Sequence, residues 1–136
     1  MLSTYIHEDQ KLDASVLSGT NQSNSLKTFK LAGEYSYQRT IGGSLGYFST
    51  TGSADSVLYP SQDSTGAPIP AGGSLANKPD SRGYVGEINY LPFLNTKLQL
   101  QYIHYSKFNG LSNNYDGAGR NASDNDTLYL LGWINF

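Results

Sequence analysis

Polar and apolar residues alternate with a period of two along the stretch Leu26–Gln38. This period over such a length indicates a β-strand with one apolar and one polar face. A strand of this kind needs a cover for its apolar face, which another protein layer or lipid can supply. The stretch divides into an apolar set and a polar set: Phe29, Leu31, Gly33, Tyr35 and Tyr37; Lys30, Ala32, Glu34, Ser36 and Gln38.

Five further segments are predicted to be strands, from alternation or from β-forming composition. The first has charged residues on both faces, so its orientation stays open. The last has no charge and no Pro, and one of its faces carries no polar side chain. That composition suits a lipid-facing strand ending in an aromatic residue, and equally a central strand of a soluble sandwich. The segments are Leu2–Val16, Ile41–Thr51, Arg82–Tyr90, Thr96–Phe108 and Thr127–Phe136.

The connections between these segments alternate in length. Leu17–Ser25, Gly52–Ser81 and Asn109–Asp126 are long, whereas Arg39-Thr40 and Leu91–Asn95 are short. Consecutive antiparallel strands alternate ends, so the short turns share one end of the sheet and the long loops the other. Outer-membrane barrels have this asymmetry, with short periplasmic turns and longer external loops. We therefore predict an all-β, antiparallel up-and-down meander of about six long strands, part of a transmembrane β-barrel.

Composition narrows the chemistry of the chain. There is no cysteine, so disulfides, Cys-ligated zinc and covalently attached c-type haem are excluded on this chain. The net charge of -2 gives no basic face, and we expect no nucleic-acid partner. Mean hydropathy is -0.44, too polar for a helical membrane protein. A barrel strand hides its apolar residues in alternation, so this value is compatible with a membrane location.

The beginning of the chain lacks a basic start followed by an apolar core, which a secretory signal requires. Six strands are also fewer than the usual minimum of about eight in a membrane barrel. We therefore expect the chain to be the C-terminal part of a larger barrel, with Met1 an internal or truncated start. Assembly of one barrel from several chains is a less favoured alternative.

The terminal segment ends in Phe136 and has apolar residues at every second position before it, at Leu128, Leu130, Gly132 and Ile134. It resembles the C-terminal signature of bacterial outer-membrane barrels, although it has Leu131 where Gly is common. That resemblance implies recognition by the barrel-assembly machinery. Four other stretches look like the C-terminal part of an uncharacterised porin-like family of Gram-negative outer membranes, some members of which are labelled cytochrome-associated: 47–55, 80–84, 90–96 and 114–125.

If the apolar sets meet lipid, the opposite sets line the lumen and tune which solutes pass. We expect no catalytic, cofactor-binding or metal-binding residues. The expected lumen-lining residues are Lys30, Glu34, Gln38, Glu87, Asn89, Lys97, Gln99 and Gln101. The expected lipid-facing residues are Phe29, Leu31, Tyr35, Tyr37, Leu45, Tyr47, Tyr84, Ile88, Tyr90, Leu98, Leu100, Tyr102, Leu128, Leu130, Ile134 and Phe136.

Two weaker chemical hypotheses come from the loops and the histidines. Asp116, Asp124, Asn125 and Asp126 crowd one loop with oxygen ligands that suit Ca²⁺, but their spacing does not match an EF-hand. The two histidines, His7 and His104, lie in no recognisable nucleophile or haem motif. His104 with a serine and an acid is a weak catalytic hypothesis, and the chain is expected not to be an enzyme.

The favoured function is passive passage or binding of small solutes in the bacterial outer membrane, with membrane lipid as a partner. One alternative is a scaffold barrel around a periplasmic electron-transfer partner such as a cytochrome. A second alternative is a soluble β-sandwich binding module.

Overall fold

The structure is a computed structural model that describes residues 1–11 and 23–135. Six antiparallel strands form one sheet in chain order, which confirms the predicted all-β meander. A short 3-10 helix, η1, precedes the last strand. Within the described ranges, no helix is long and apolar enough to cross a membrane. The elements are β1 (Leu2–Lys11), β2 (Ser23–Tyr37), β3 (Ile41–Gly52), β4 (Ser81–Phe93), β5 (Thr96–Lys107), η1 (Ala122–Asn125) and β6 (Thr127–Ile134).

The β2–β3 hairpin corrects one prediction. Strand β2 ends at Tyr37, whose carbonyl oxygen accepts a hydrogen bond from the Thr40 amide at 3.0 Å. The two residues between them have left-handed backbone angles, with φ of 48° at Gln38 and 57° at Arg39. Positive φ at both central residues is typical of a type I′ turn, whose twist matches that of the flanking strands. Gln38 therefore lies exposed in the turn, and its predicted place on the lumen wall is wrong.

Other strand boundaries differ from the sequence prediction. Strand β2 begins at Ser23, so the last three residues of the predicted first loop belong to the strand. Strand β4 continues past Tyr90 to Phe93, through a register shift opposite the start of β5. Pro92 is accommodated there because a bulge does not require its missing N–H. The end of the predicted first strand (residues 12–16) and Phe136 lie outside the described residues.

The strand registers divide the side chains of the sheet into two faces. The apolar face contains the apolar set of β2 and the residues paired with it across the strands. The polar face contains Lys30, Glu34, Glu87, Asn89, Lys97, Gln99 and Gln101. The described residues of the apolar face that were expected to meet lipid are Phe29, Leu31, Tyr35, Tyr37, Leu45, Tyr47, Tyr84, Ile88, Tyr90, Leu98, Leu100, Tyr102, Leu128, Leu130 and Ile134.

Two long connections, residues 53–80 and 108–126, fold together at one end of the sheet into a unit that we call the cap. The Leu75 amide donates to the Tyr115 carbonyl oxygen at 2.8 Å, and the Ser74 hydroxyl donates to the Asn109 carbonyl oxygen at 2.8 Å. Tyr115 is fully buried, and Ala122 and Ser74 are buried beside it in the same unit. Contacts between these two connections thus hold the cap together. The two short turns lie at the opposite end of the sheet.

Candidate functional site

The exposure of the two faces is the reverse of that expected for a sheet in water. On the apolar face, Leu45 is 67% and Leu130 is 81% exposed. On the polar face, Asn89 and Gln99 are each only 8% exposed. Soluble proteins bury large aliphatic side chains and leave most amides in water. The sheet therefore exposes large aliphatic side chains on one face and buries two amides on the other, where Lys30 and Glu34 are exposed.

The apolar face carries no Asp, Glu, Lys or Arg over the central part of strands β2 to β6 as described. Tyr37 and Tyr90 lie in a cross-strand row near the short turns, and Tyr47 and Tyr84 lie in a row toward the cap. The last two rings are 5.4 Å apart between centroids. The rows between contain mostly aliphatic residues and glycines, with Tyr35 and Tyr102 among them. Aromatic residues flanking an apolar band are typical of membrane barrels.

The polar face contains a trough over strand β3. At this level β3 contributes only Gly42, Ser44 and Gly46, so no large side chain rises between its neighbours. Glu34 of β2 and Glu87 of β4 flank Ser44 in one cross-strand row. Asn89 and Lys97 also line this space, which has a volume of about 470 Å³.

Glu87 organises the amides on one side of the trough. Its carboxylate accepts a hydrogen bond from Asn89 Nδ2 at 2.6 Å and another from Gln101 Nε2 at 3.2 Å. Because Nδ2 must face the carboxylate to donate, the Asn89 Oδ1 atom points away from it. That oxygen is buried and has no hydrogen-bond partner. A buried hydrogen-bond acceptor without a donor lowers stability by about 1–3 kcal/mol. A hydrogen-bond donor placed next to Asn89 Oδ1 would therefore be stabilised there.

The charged residues of this face do not neutralise one another. Within residues 1–11 and 23–135, Lys30, Glu34, Glu87 and Lys97 form no ion pair. The Lys97 ammonium instead lies 5.0 Å from the centroid of the Trp133 ring, in cation–π geometry. The polar face therefore carries four charged side chains that no ion pair neutralises within the described ranges.

One part of the polar face is apolar, and the sequence pattern did not predict it. Between the trough and the cap, Phe48, Val85, Ile103 and Tyr105 line a pocket together with Lys30. The Phe48 and Tyr105 rings meet edge to face at a centroid distance of 5.4 Å. The signal in the sequence is weak, because these residues lie on three strands whose registers must be known before they can be placed together.

The acidic loop that was considered for Ca²⁺ uses its carboxylates as hydrogen-bond acceptors within the cap. Asp116 accepts from the amides of Ala71 at 3.0 Å and Ala118 at 2.9 Å. Burial raises the pKa of Asp116, but these N–H donors outweigh that effect and leave the pKa below its ordinary value. Asp124 accepts from the Asn121 amide at 2.7 Å. In the described part of the chain, no three acidic or histidine side chains form a group that could hold a metal ion.

The fourth acid of that loop, Asp126, links the cap to strand β5. Its carboxylate lies 2.7 Å from His104 Nδ1, and it accepts hydrogen bonds from the Tyr102 hydroxyl at 2.6 Å and the Tyr105 amide at 2.8 Å. Burial raises the pKa of Asp126, but these donors, His104 first, bring it below its ordinary value. Among the described residues, no serine hydroxyl hydrogen-bonds to His104, so the catalytic hypothesis gains no nucleophile there.

Comparison of the chain with protein-family models, with curated proteins and with solved structures gives no match.

Proposed function

We propose that this sheet is part of the wall of a bacterial outer-membrane β-barrel through which small solutes pass or in which they bind. One observation carries the proposal: an apolar face without charge over the central part of β2 to β6 is exposed on one side, and two buried amides with unpaired charged side chains lie on the other. Lipid would cover the first face and water the second. The alternating apolar part of strand β2, from Phe29 to Tyr37, covers nine of the strand's 15 residues. That length is within the roughly 9–11 residues that a tilted spanning strand needs.

The exposed apolar face is difficult to reconcile with a soluble sandwich. Monomeric soluble proteins rarely expose contiguous apolar patches larger than a few hundred Å². All six strands described here lie in one sheet, and the cap packs at its end. The described residues therefore supply no second layer for the apolar face, and lipid is the cover that its composition fits.

The edges of the sheet support the same proposal and add a requirement. Strand β1 pairs only with β2, and β6 pairs only with β5, among the described residues. Each unsatisfied backbone group in hydrocarbon costs several kcal/mol, so an open edge is not tolerated there. In the proposed barrel, further strands pair with β1 and β6. The terminal strand β6 is the segment that the barrel-assembly machinery would recognise.

The polar face supports a role in solute passage. Glu34 and Glu87 face the trough without cationic partners, and Lys30 and Lys97 are likewise free of ion pairs within the described ranges. Fixed charges on a water-filled wall select among passing ions and polar solutes. Replacing Glu34 and Glu87 together by Gln is expected to shift the ion selectivity of the pore toward anions, measured as a change in the reversal potential across a salt gradient.

The first experiment is cell fractionation of the full-length barrel protein that the proposal requires, with this sheet as part of its wall, expressed with an outer-membrane export signal in a Gram-negative host. The same full-length protein is used in the later experiments. The proposal expects the protein in outer membranes, with faster gel migration before heating than after it. A protein recovered from the soluble fraction, with one gel mobility at all temperatures, would overturn the barrel.

The second experiment is conductance in planar lipid bilayers. Discrete conductance steps support solute passage. A folded outer-membrane protein that never conducts, at any voltage, would contradict the pore and favour a scaffold role.

A further inference from the structure

A pocket on the polar face lies directly below the cap, on the cap side of the trough. It has a volume of about 420 Å³. Its lining combines aliphatic and aromatic side chains with one lysine: Lys30, Phe48, Thr50, Val85, Ile103 and Tyr105. Ligand sites typically have this character, with mostly apolar walls and a few placed polar groups.

An apolar pocket on this face is unexpected for a wall that only contacts water. The trough beside it is lined by polar and charged side chains at its centre and by Met1, Leu2 and Ala32 toward β1; the polar and charged residues are Glu34, Ser44, Glu87, Asn89 and Lys97. Apolar side chains exposed to lumen water gain nothing from that exposure, since burial is what stabilises them. A solute with an apolar body would supply the missing burial.

The pocket is held in place by an aromatic chain that reaches the buried centre of the cap. Edge-to-face contacts connect Phe48 to Tyr105, Tyr105 to Phe108, and Phe108 to Tyr115, with centroid distances of 5.4, 5.1 and 5.0 Å. Tyr115 is fully buried. Rings fixed at both ends of such a chain lose little freedom when a ligand binds, which favours a preformed site.

The charged side chain in the pocket determines which ligand charge the pocket complements. Lys30 is the sole charged group in the lining. It forms no ion pair with any acid in the described ranges. Glu34 lies four residues further along β2, about 13 Å away along the strand at about 3.3 Å per residue. Glu34 and Glu87 each lie two residues beyond a lining residue, Ala32 and Val85 respectively, about 7 Å along their strands. The Lys30 ammonium is thus the charged group that a ligand in the pocket can contact directly, and it complements an anion.

We propose that this pocket binds small organic carboxylates with an aromatic or short alkyl body. The Lys30 ammonium pairs with the carboxylate, and the body of the ligand packs against Phe48, Val85 and Ile103. The inference rests on the proposed function, because it takes this face to be the water-filled side of a barrel. It adds the class of solute to that function.

The test measures benzoate binding to the detergent-solubilised, folded protein by saturation-transfer NMR and titration calorimetry. The matched variants are Lys30→Gln and Lys27→Gln, since Lys27 is on the same strand but on the opposite face and outside the pocket lining. Loss of one ion pair of about 1.4 kcal/mol corresponds to roughly tenfold weaker binding for Lys30→Gln. Lys27→Gln should bind as the parent does. Lys30→Arg should retain most of the affinity, and benzyl alcohol should bind at least tenfold more weakly than benzoate.

Three results would overturn the inference: no benzoate binding to the parent protein, equal loss in both Gln variants, or equal binding of benzyl alcohol. Heat-dependent gel migration shows whether each variant is folded. The outcomes separate the two proposals. A protein that is found in the outer membrane and conducts but does not bind benzoate contradicts only the pocket. A soluble protein that binds benzoate in a Lys30-dependent manner contradicts only the barrel.

Discussion

A lysine placed on the apolar face should destabilise the protein far more than a lysine placed on its sequence neighbour. Leu45 is 67% exposed on the apolar face, between Gly33 and Gly86 in its cross-strand row. The adjacent residue, Ser44, faces the trough between Glu34 and Glu87. Leu45→Lys and Ser44→Lys therefore place the same charge one residue apart on opposite sides of one strand.

The environment sets the magnitude of each effect. At the bilayer midplane a lysine on the lipid face costs about 2–4 kcal/mol. In water, a substitution at such an exposed position is usually within about 0.5 kcal/mol of neutral. The flanking glycines offer the new side chain no protein partner. Ser44→Lys meets two carboxylates, so its unfolding free energy should be unchanged or slightly higher.

The assay is reversible urea unfolding in phospholipid vesicles, followed by far-UV circular dichroism and by heat-dependent gel migration. The expected result is a loss of about 2–4 kcal/mol for Leu45→Lys and no loss for Ser44→Lys. If both variants unfold with the free energy of the parent, the apolar face does not contact lipid. A loss confined to Ser44→Lys would reverse the assignment of the two faces.

Two further predictions concern single sites. Gly83→Ala should lower the free energy of unfolding in urea by about 1–3 kcal/mol, because a Cβ there would overlap the His104 carbonyl oxygen and lie 2.9 Å from Phe48 Cζ. The control is Gly86→Ala, which should be near neutral because nothing lies within 4 Å of a Cβ at that position. Equal effects of the two substitutions would contradict the register at the bulge. Asp126→Asn should lower the free energy of unfolding at neutral pH. The pKa of Asp126 in the folded state is below the unfolded value of 3.8, so its carboxylate stabilises the fold above pH 3.8. This contribution is lost as the pH falls through the folded-state pKa. Urea midpoints of parent and Asp126→Asn should therefore converge in strong acid, and a constant difference at all pH values would refute the role of the charge.

The period-two pattern predicted the faces of the sheet because it reflects backbone geometry. Successive side chains of a strand point to opposite faces, so Lys30 and Leu31 must separate wherever β2 forms. Assigning Gln38 to the wall failed because glutamine is unusual in a type I′ turn, where Asn and Gly prevail. The sequence predicted that β4 ends at Tyr90 because Pro92 is typical of turns. This boundary is wrong because a bulge accommodates Pro92 within the strand.

Long-range contacts explain the features that the sequence did not reveal. The cap depends on Tyr115 meeting residues near Ala71, and no local pattern specifies that contact. The carboxylate of Asp116 was read as a cation ligand because its backbone donors come partly from the other loop. The pocket below the cap combines Phe48, Val85 and Ile103 from three strands, so it becomes visible only once the registers are known.

The most direct test of the account is cysteine scanning along residues 98–102 of β5 in intact outer membranes. The chain has no native cysteine, so each introduced thiol is the only one in the chain. Residues 99 and 101 lie on the polar face, and 98, 100 and 102 on the apolar face. A small water-soluble thiol reagent is expected to modify a cysteine at 101 and, more slowly, one at 99, where the native glutamine is only 8% exposed. Cysteines at 98, 100 and 102 are expected to react only with a lipid-soluble reagent. Uniform modification by the water-soluble reagent, or the reverse alternation, would contradict the account.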